Sequence, residues 1–225
     1  MTKRLLIYFG VLALVCTFPA LAQGIPHGQP LTAHTEGSTA GVAQPDSTLP
    51  AGSVIIYNSF GPKGDLYNIN DGYYILGNLN PSITPGMSQS IALNFHATAN
   101  EHVTFVYIPV LFLNAGDGAA NTFNVTIYKD AGGLPGVAIP PSVASMSNGN
   151  FGAACCPYVT VAFPGGGIPL TANQKYWVVV DTMPPSTTED VWDFTYLTAA
   201  VNVAGAGWTA TGSYLPTARV VGTIP

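Results

Sequence analysis

From Asn124 to Val137 the chain alternates Val125 and Ile127 with Thr126 and Tyr128. It then breaks at Asp130 to Gly133 and at Leu134 to Gly136 before an extended pattern resumes. One buried face, a glycine turn and a return segment describe a β-hairpin. The return, Val137 to Met146, is interrupted by prolines and reads as a weak edge. The same unit recurs along the chain. Ser90 to His96 sets Ile91, Leu93 and Phe95 against Ala92, Asn94 and His96. Glu101 to Leu113 is apolar on both faces, which suits a central strand, and Pro109 marks a break within it. Lys175 to Thr182 places Tyr176, Val178 and Val180 on one face and Trp177, Val179 and Asp181 on the other. Shorter runs at Ser53 to Tyr57, Tyr73 to Leu76, Tyr158 to Phe163, Gly207 to Tyr214 and Arg219 to Thr223 complete the set. About ten short strands with turn signals between them predict an all-β chain, an antiparallel β-sandwich with a jelly-roll-like course.

The ends of the chain set its expected location. Lys3 and Arg4 precede an apolar run from Leu5 to Phe18, and Ala20-Leu21-Ala22 offers small residues at a cleavage site. The run is shorter than the ~20 residues a spanning helix needs, so residues 1–22 read as a signal peptide cleaved after Ala22. The mature chain is then expected to be secreted, with no membrane span. Residues 23–52 are rich in Gly, Pro, Ser and Thr and read as a flexible leader that includes His27 and His34. Residues 53–225 form the single β-sandwich domain. Without Lys3 and Arg4, four basic residues face eleven acidic ones, a net of −7. A field of that sign repels phosphate backbones and argues against nucleic acid as a partner. Surface polarity falls to Asn, Thr, Ser and Gly, which suits a polysaccharide or a cell-surface component as well as simple solubility.

Candidate chemistry concentrates between Glu189 and Tyr196. Alternation puts Asp190, Trp192, Phe194 and Tyr196 on one face and Val191, Asp193, Thr195 and Leu197 on the other. Aromatic rings stack on sugar C–H faces while carboxylates take hydroxyls. Asp190, Trp192 and Tyr196, extended by Trp208 and Tyr214, are therefore the expected ligand-binding set. Aromatics at period two also build cores, and that reading stands beside the first. Glu189, Asp190 and Asp193 would instead serve a polysaccharide hydrolase if two of them converged in a cleft. Loop aspartates would suit calcium, although neither an EF-hand loop nor an RTX-type repeat is present, and no other cofactor is expected. His96, Glu101 and His102 make an incomplete metal set. Cys155 and Cys156 are adjacent; a trans peptide holds their Cα atoms ~3.8 Å apart, below the usual disulfide span. A strained vicinal disulfide, free thiols and an intermolecular bond all remain open. No Gly-x-Ser-x-Gly elbow, His-Glu-x-x-His pair or phosphate loop occurs.

Several short motifs follow one another in a fixed order. Tyr57-Asn58 and Phe60-Gly61 come first, then Gln89 to Ala92, then Val125 to Tyr128 leading to Gly133 to Gly136. Cys155-Cys156, Leu170 to Ala172, Tyr176-Trp177 and Asp190 to Asp193 complete the series. In this order the chain resembles the choice-of-anchor type R domain of exported bacterial proteins, over about Val54 to Gly222. The resemblance implies a cell-surface or extracellular β-domain and carries over no catalytic residue. Relatives often end in a Pro-Glu-Pro sorting tail; here the sequence closes on Gly222 to Pro225, which favours release over attachment. The expected function is a secreted, non-catalytic β-sandwich with a surface, matrix or glycan-interaction role. The hydrolase and a purely structural exoprotein are the alternatives. The secreted chain should begin at Gln23, and N-terminal mass analysis that finds Met1 intact would overturn the assignment of export.

Overall fold

A computed structural model describes residues 31–35, 49–60, 67–80, 88–113, 121–152, 158–198, 201–204, 207–211 and 214–225. Among these the chain is all β, with sixteen strands where the sequence suggested about ten. In chain order they begin with β1 (Thr32–His34), β2 (Val54–Asn58), β3 (Asn68–Leu76), β4 (Ser90–His96) and β5 (Glu101–Ile108). There follow β6 (Val110–Phe112), β7 (Thr122–Asp130), β8 (Pro135–Met146), β9 (Val159–Ala162), β10 (Ile168–Leu170) and β11 (Lys175–Asp181). The last are β12 (Glu189–Thr198), β13 (Val201–Ala204), β14 (Trp208–Thr211), β15 (Tyr214–Pro216) and β16 (Arg219–Thr223).

All pairings between these strands are antiparallel, and the sheets are not closed into a barrel, which makes the fold a β-sandwich. A six-stranded sheet of order β14-β13-β4-β11-β7-β8 faces two five-stranded sheets. One of these runs β1-β3-β12-β15, with β6 on β12; the other runs β10-β5-β16-β2, with β9 on β5. The second and third sheets share chain at two crossings. Pro109, which cannot donate to a ladder, separates β5 from β6 and lets the chain change sheets. The segment Thr217–Ala218 does the same between β15 and β16.

The hairpin of β7 and β8 forms as its pattern predicts. Thr122 pairs with Met146, Val125 with Val143, Ile127 with Ile139 and Asp130 with Pro135. Its turn is closed by the Ala131 amide donating to the Leu134 carbonyl and by the Gly133 amide donating to Asp130 Oδ2. Gly132 and Gly133 take φ of 68° and 92°, the left-handed region that glycine enters without a Cβ clash. β8 is a sheet edge, and Pro140 and Pro141 sit at its shift of register.

The main core gathers the inward faces of all three sheets. Ile91, Leu93, Phe95, Val125, Ile127, Tyr176, Val178 and Val180 meet Tyr73, Ile75, Trp192, Phe194, Val106 and Val220. Tyr73 and Phe194 stack edge-on at 4.5 Å between centroids, a favourable quadrupole geometry. A second cluster of Phe60, Tyr67, Ile69, Tyr107 and Val221 is separate from this core. Part of the expected leader also belongs to the fold, because β1 pairs with β3. Trp192 has no exposed surface and Val137 is 73% exposed. Trp192→Ala should therefore cost about 3–5 kcal/mol in urea unfolding, and Val137→Ala less than about 0.5 kcal/mol. Equal small changes in both variants would contradict the packing.

Candidate functional site

The expected site on β12 lies inside the protein. Trp192 is fully buried in the core, and its indole Nε1 donates to the Thr217 carbonyl at 2.7 Å. Asp190 and Asp193 likewise have no exposed surface. Asp190 and Trp192 thus cannot form an exposed sugar platform. Alternation placed them on one face correctly, but that face is the interior. Trp208 and Tyr214 do not extend the row together either. Trp208 lies on β14 of the six-stranded sheet, whereas Tyr214 lies on β15 beside β12. The side chains of Tyr196 and Tyr214, and both Cys155 and Cys156, lie outside the described residues.

The two buried carboxyls have a structural consequence. Burial pushes the Asp190 pKa up to about 8, and the Ser147 hydroxyl draws it back in part. Burial also raises Asp193 far above the carboxylate range, and the charge of Asp71 adds to the rise. Neither carboxyl has a hydrogen-bond partner in good geometry among the described residues. Enclosure without a partner disfavours the charged form of both, since a buried ion without a partner is costly. Glu189, one residue away, is 8% exposed.

The outer face of the six-stranded sheet presents a different arrangement. Because Tyr176, Val178 and Val180 point into the core, Trp177, Val179 and Asp181 must point out. Trp177 stands opposite Tyr128 on β7 and Asn94 on β4. Ala92, Trp177 and Val179 form a small apolar cluster, and the half-buried rings of Tyr128 and Trp208 pack against it. Trp177 itself is 1% exposed, so it is the floor and the other two rings are the accessible surface. Asp130 fixes the floor: its Oδ1 accepts from Trp177 Nε1 at 2.8 Å while its Oδ2 closes the hairpin turn. Around the rings lie Asn94, Thr126 and Asp181. The Thr126 hydroxyl donates to Ser142 Oγ at 2.7 Å. Burial raises the Tyr128 phenol, and the nearby charge of Asp181 raises it further. Asp181 is also raised by burial, partly offset by a hydrogen bond from Asn124.

This face combines flat apolar rings with amide, hydroxyl and carboxyl groups. Trp208 belongs to the set drawn from the sequence; Tyr128 and Trp177 do not. The signal for them was the alternation of β7 and β11, which puts a tyrosine and a tryptophan opposite one another on the polar face. A separate cavity of about 350 Å³ is lined by Leu79, Phe123, Asn124, Ala144, Met183 and Pro185. Its apolar walls are interrupted by Thr122, Asn124, Ser186 and Thr187.

His96 is exposed and Glu101 is 4% exposed, its pKa raised by burial against a backbone hydrogen bond at Ala99. Among the described residues no three His, Cys, Asp or Glu side chains group closely enough to hold a metal ion. Nor is any helix there long and apolar enough to cross a membrane. No known protein family matches the chain, and no curated protein matches it either.

A carboxyl whose pKa is higher in the folded than in the unfolded state stabilises the fold fully below its unfolded value. That contribution is lost as pH rises through the folded value. Asp190, near 8 when folded against 3.8 when free, should thus lower the urea midpoint progressively from pH 5 to pH 9. Asp190→Asn should flatten that decline, with Asp193 leaving a residual slope. A decline of unchanged steepness in Asp190→Asn would exclude Asp190 as its source.

Proposed function

We propose that the protein is a secreted, non-catalytic β-sandwich that binds glycan at a cell surface or in the extracellular matrix. Its binding surface is the outer face of the six-stranded sheet. One observation carries the reading: the half-buried rings of Tyr128 and Trp208 pack on the Trp177 floor, beside the polar groups of Asn94, Thr126 and Asp181. Rings with one apolar face and one wet edge are suited to contact with a partner that is itself amphipathic. A sugar ring, apolar on its C–H faces and polar at its rim, is such a partner.

Several features support the setting and the lack of catalysis. The basic start, apolar run and small residues ending at Ala22 fit export, as does the resemblance of the motif order to choice-of-anchor domains. A net of −7 after cleavage favours an uncharged or cationic ligand over a phosphate polymer. Glycoside hydrolysis needs two carboxyls flanking a bond in solvent reach. Asp190 and Asp193 are instead enclosed, and neither borders the cavity lined by Leu79, Phe123 and Met183.

Binding of the mature chain to soluble and insoluble polysaccharides, with calcium and with chelator, tests this reading. Tryptophan fluorescence reports binding, and reducing-sugar release is followed in the same tubes. Binding without release is expected, weakened about tenfold or more in Trp208→Ala and in Tyr128→Ala, a loss of about 1.4 kcal/mol or more. Sugar release would make the protein a hydrolase. Unaltered binding in the double variant would move the site elsewhere.

A further inference from the structure

The cavity beneath Leu79 and Met183 lies on the same sheet face as the rings of Tyr128 and Trp208. β7 turns Asn124, Thr126 and Tyr128 outward, because Phe123, Val125 and Ile127 belong to the core. Ala144 of β8 and Asp181 of β11 stand opposite Asn124, as Trp177 stands opposite Tyr128. The outward row at Asn124 therefore lies two rows along the strands from the rings. Both Asn124 and Ala144 line the cavity. From Asn124 to Tyr128 is about 13 Å along the strand, so one extended ligand can reach both.

The far side of the cavity is a wall held by its own hydrogen bonds. Leu79 N donates to the Ser186 carbonyl at 2.8 Å, and Ser186 N donates to Asn78 Oδ1 at 3.1 Å. Gly77 N donates to the Thr188 carbonyl at 2.9 Å. These bonds join the turn after β3 to the segment before β12. Gly77 sits so close to the Ser186 carbonyl that a Cβ there would collide with it. The wall offers the cavity Leu79, Met183 and Pro185, with Leu79 56% and Met183 71% exposed. On the sheet side, Asn124 is hydrogen-bonded to the Asp181 carboxyl in a way that favours its charged form. A carboxylate only accepts, so the donor end of the Asn124 amide is the one engaged. Its Oδ1 remains as an acceptor.

We infer that this cavity seats the terminal sugar of a glycan chain and that this sugar carries an N-acetyl group. The inference rests on the glycan reading of the neighbouring rings and adds the end and the class of sugar to it. A chain lying along the line from Tyr128 to Asn124 meets the wall, so the cavity takes an end rather than a middle. An acetamido group carries an apolar methyl and an N–H. The methyl suits the surface of Leu79 and Met183, and the N–H suits the Asn124 acceptor. A hydroxyl in the same place supplies a donor but leaves the apolar wall without a partner. Asp181 beside Asn124, with a net of −7 on the mature chain, disfavours an acidic sugar. The rings hold inner sugars, and the cavity discriminates between ends.

Titration calorimetry of the mature chain with two neutral tetrasaccharides tests it. Chitotetraose is N-acetylated on every ring, and cellotetraose has hydroxyls in those places. Chitotetraose should bind at least tenfold more tightly. Ala144→Trp, at an exposed position of the edge strand β8, fills the cavity and should erase that preference by weakening chitotetraose. Cutting soluble glycol chitin into shorter chains at constant mass should raise the number of binding sites in step with the number of ends. Equal affinity for the two tetrasaccharides would overturn the inference. So would a preference that survives in a cooperatively folding Ala144→Trp, or a site number indifferent to ends. Each of these leaves glycan binding by the rings in place. Failure of both tetrasaccharides and of every polysaccharide to bind would instead remove the glycan reading itself, and this inference with it. Should Ala144→Trp not fold, Met183→Ala decides, because it trims the apolar wall at an exposed residue. It should narrow the preference for chitotetraose severalfold, and an unchanged preference there would refute the seat.

Discussion

Every residue from Glu189 to Thr195 is buried, and the rest of the architecture answers to that constraint. A strand covered on both faces must place all its polar groups without water. β12 does so for its backbone by pairing with β3 along one edge and with β6 and β15 along the other, while the carboxyls of Asp190 and Asp193 have no partner in good geometry among the described residues. Its Trp192 reaches the Thr217 carbonyl, and Thr217 N returns to the Asp193 carbonyl. Thr195 Oγ1 donates to the Ser59 carbonyl, and Ser59 binds both amide and carbonyl of Ala218. These bonds converge on Thr217–Ala218, where the chain leaves one sheet for the next. The polar groups of β12 therefore hold the crossing that joins the two smaller sheets.

Gly72 is part of the same arrangement. A Cβ there would collide with Val191 Cγ1 and the Trp192 carbonyl, so β3 approaches β12 closely only because this residue has none. That close approach also shapes the edge of β3 on which β1 rests, with Ala33 opposite Gly72. Interior packing and the pairing of β1 at the edge thus share one strand. In the six-stranded sheet opposite, the inner face supplies core, and the outer face carries the half-buried rings of Tyr128 and Trp208 over Trp177.

Much of this was legible in the sequence. The β7–β8 hairpin followed from alternation and glycines, and the break at Pro109 from its missing donor. The two faces of β11 were assigned correctly because strand periodicity gives a face for every residue. Periodicity does not say which face is covered. In β12 both are, so Asp190 and Trp192 on one side and Asp193 on the other are all enclosed. Gly207 to Tyr214 read as a single run, yet Trp208 and Tyr214 belong to different sheets. Only long-range pairing, of β14 with β13 and of β15 with β12, separates them. His34 looked like part of an unattached leader because the side chain that holds its strand, Gln89, is 58 residues from Leu31. No local signal reports a glutamine that pairs with backbone at that distance.

The tryptophan of β12 is structural, whereas that of β14 is half-exposed on the outer face of its sheet. Acrylamide quenching of single-tryptophan variants tests it most directly, with the other two tryptophans replaced by phenylalanine. The chain that keeps Trp208 should be quenched readily, and the chain that keeps Trp192 should resist quenching until it unfolds. Ready quenching of Trp192 in the folded protein, with Trp208 protected, would show that β12 is not buried.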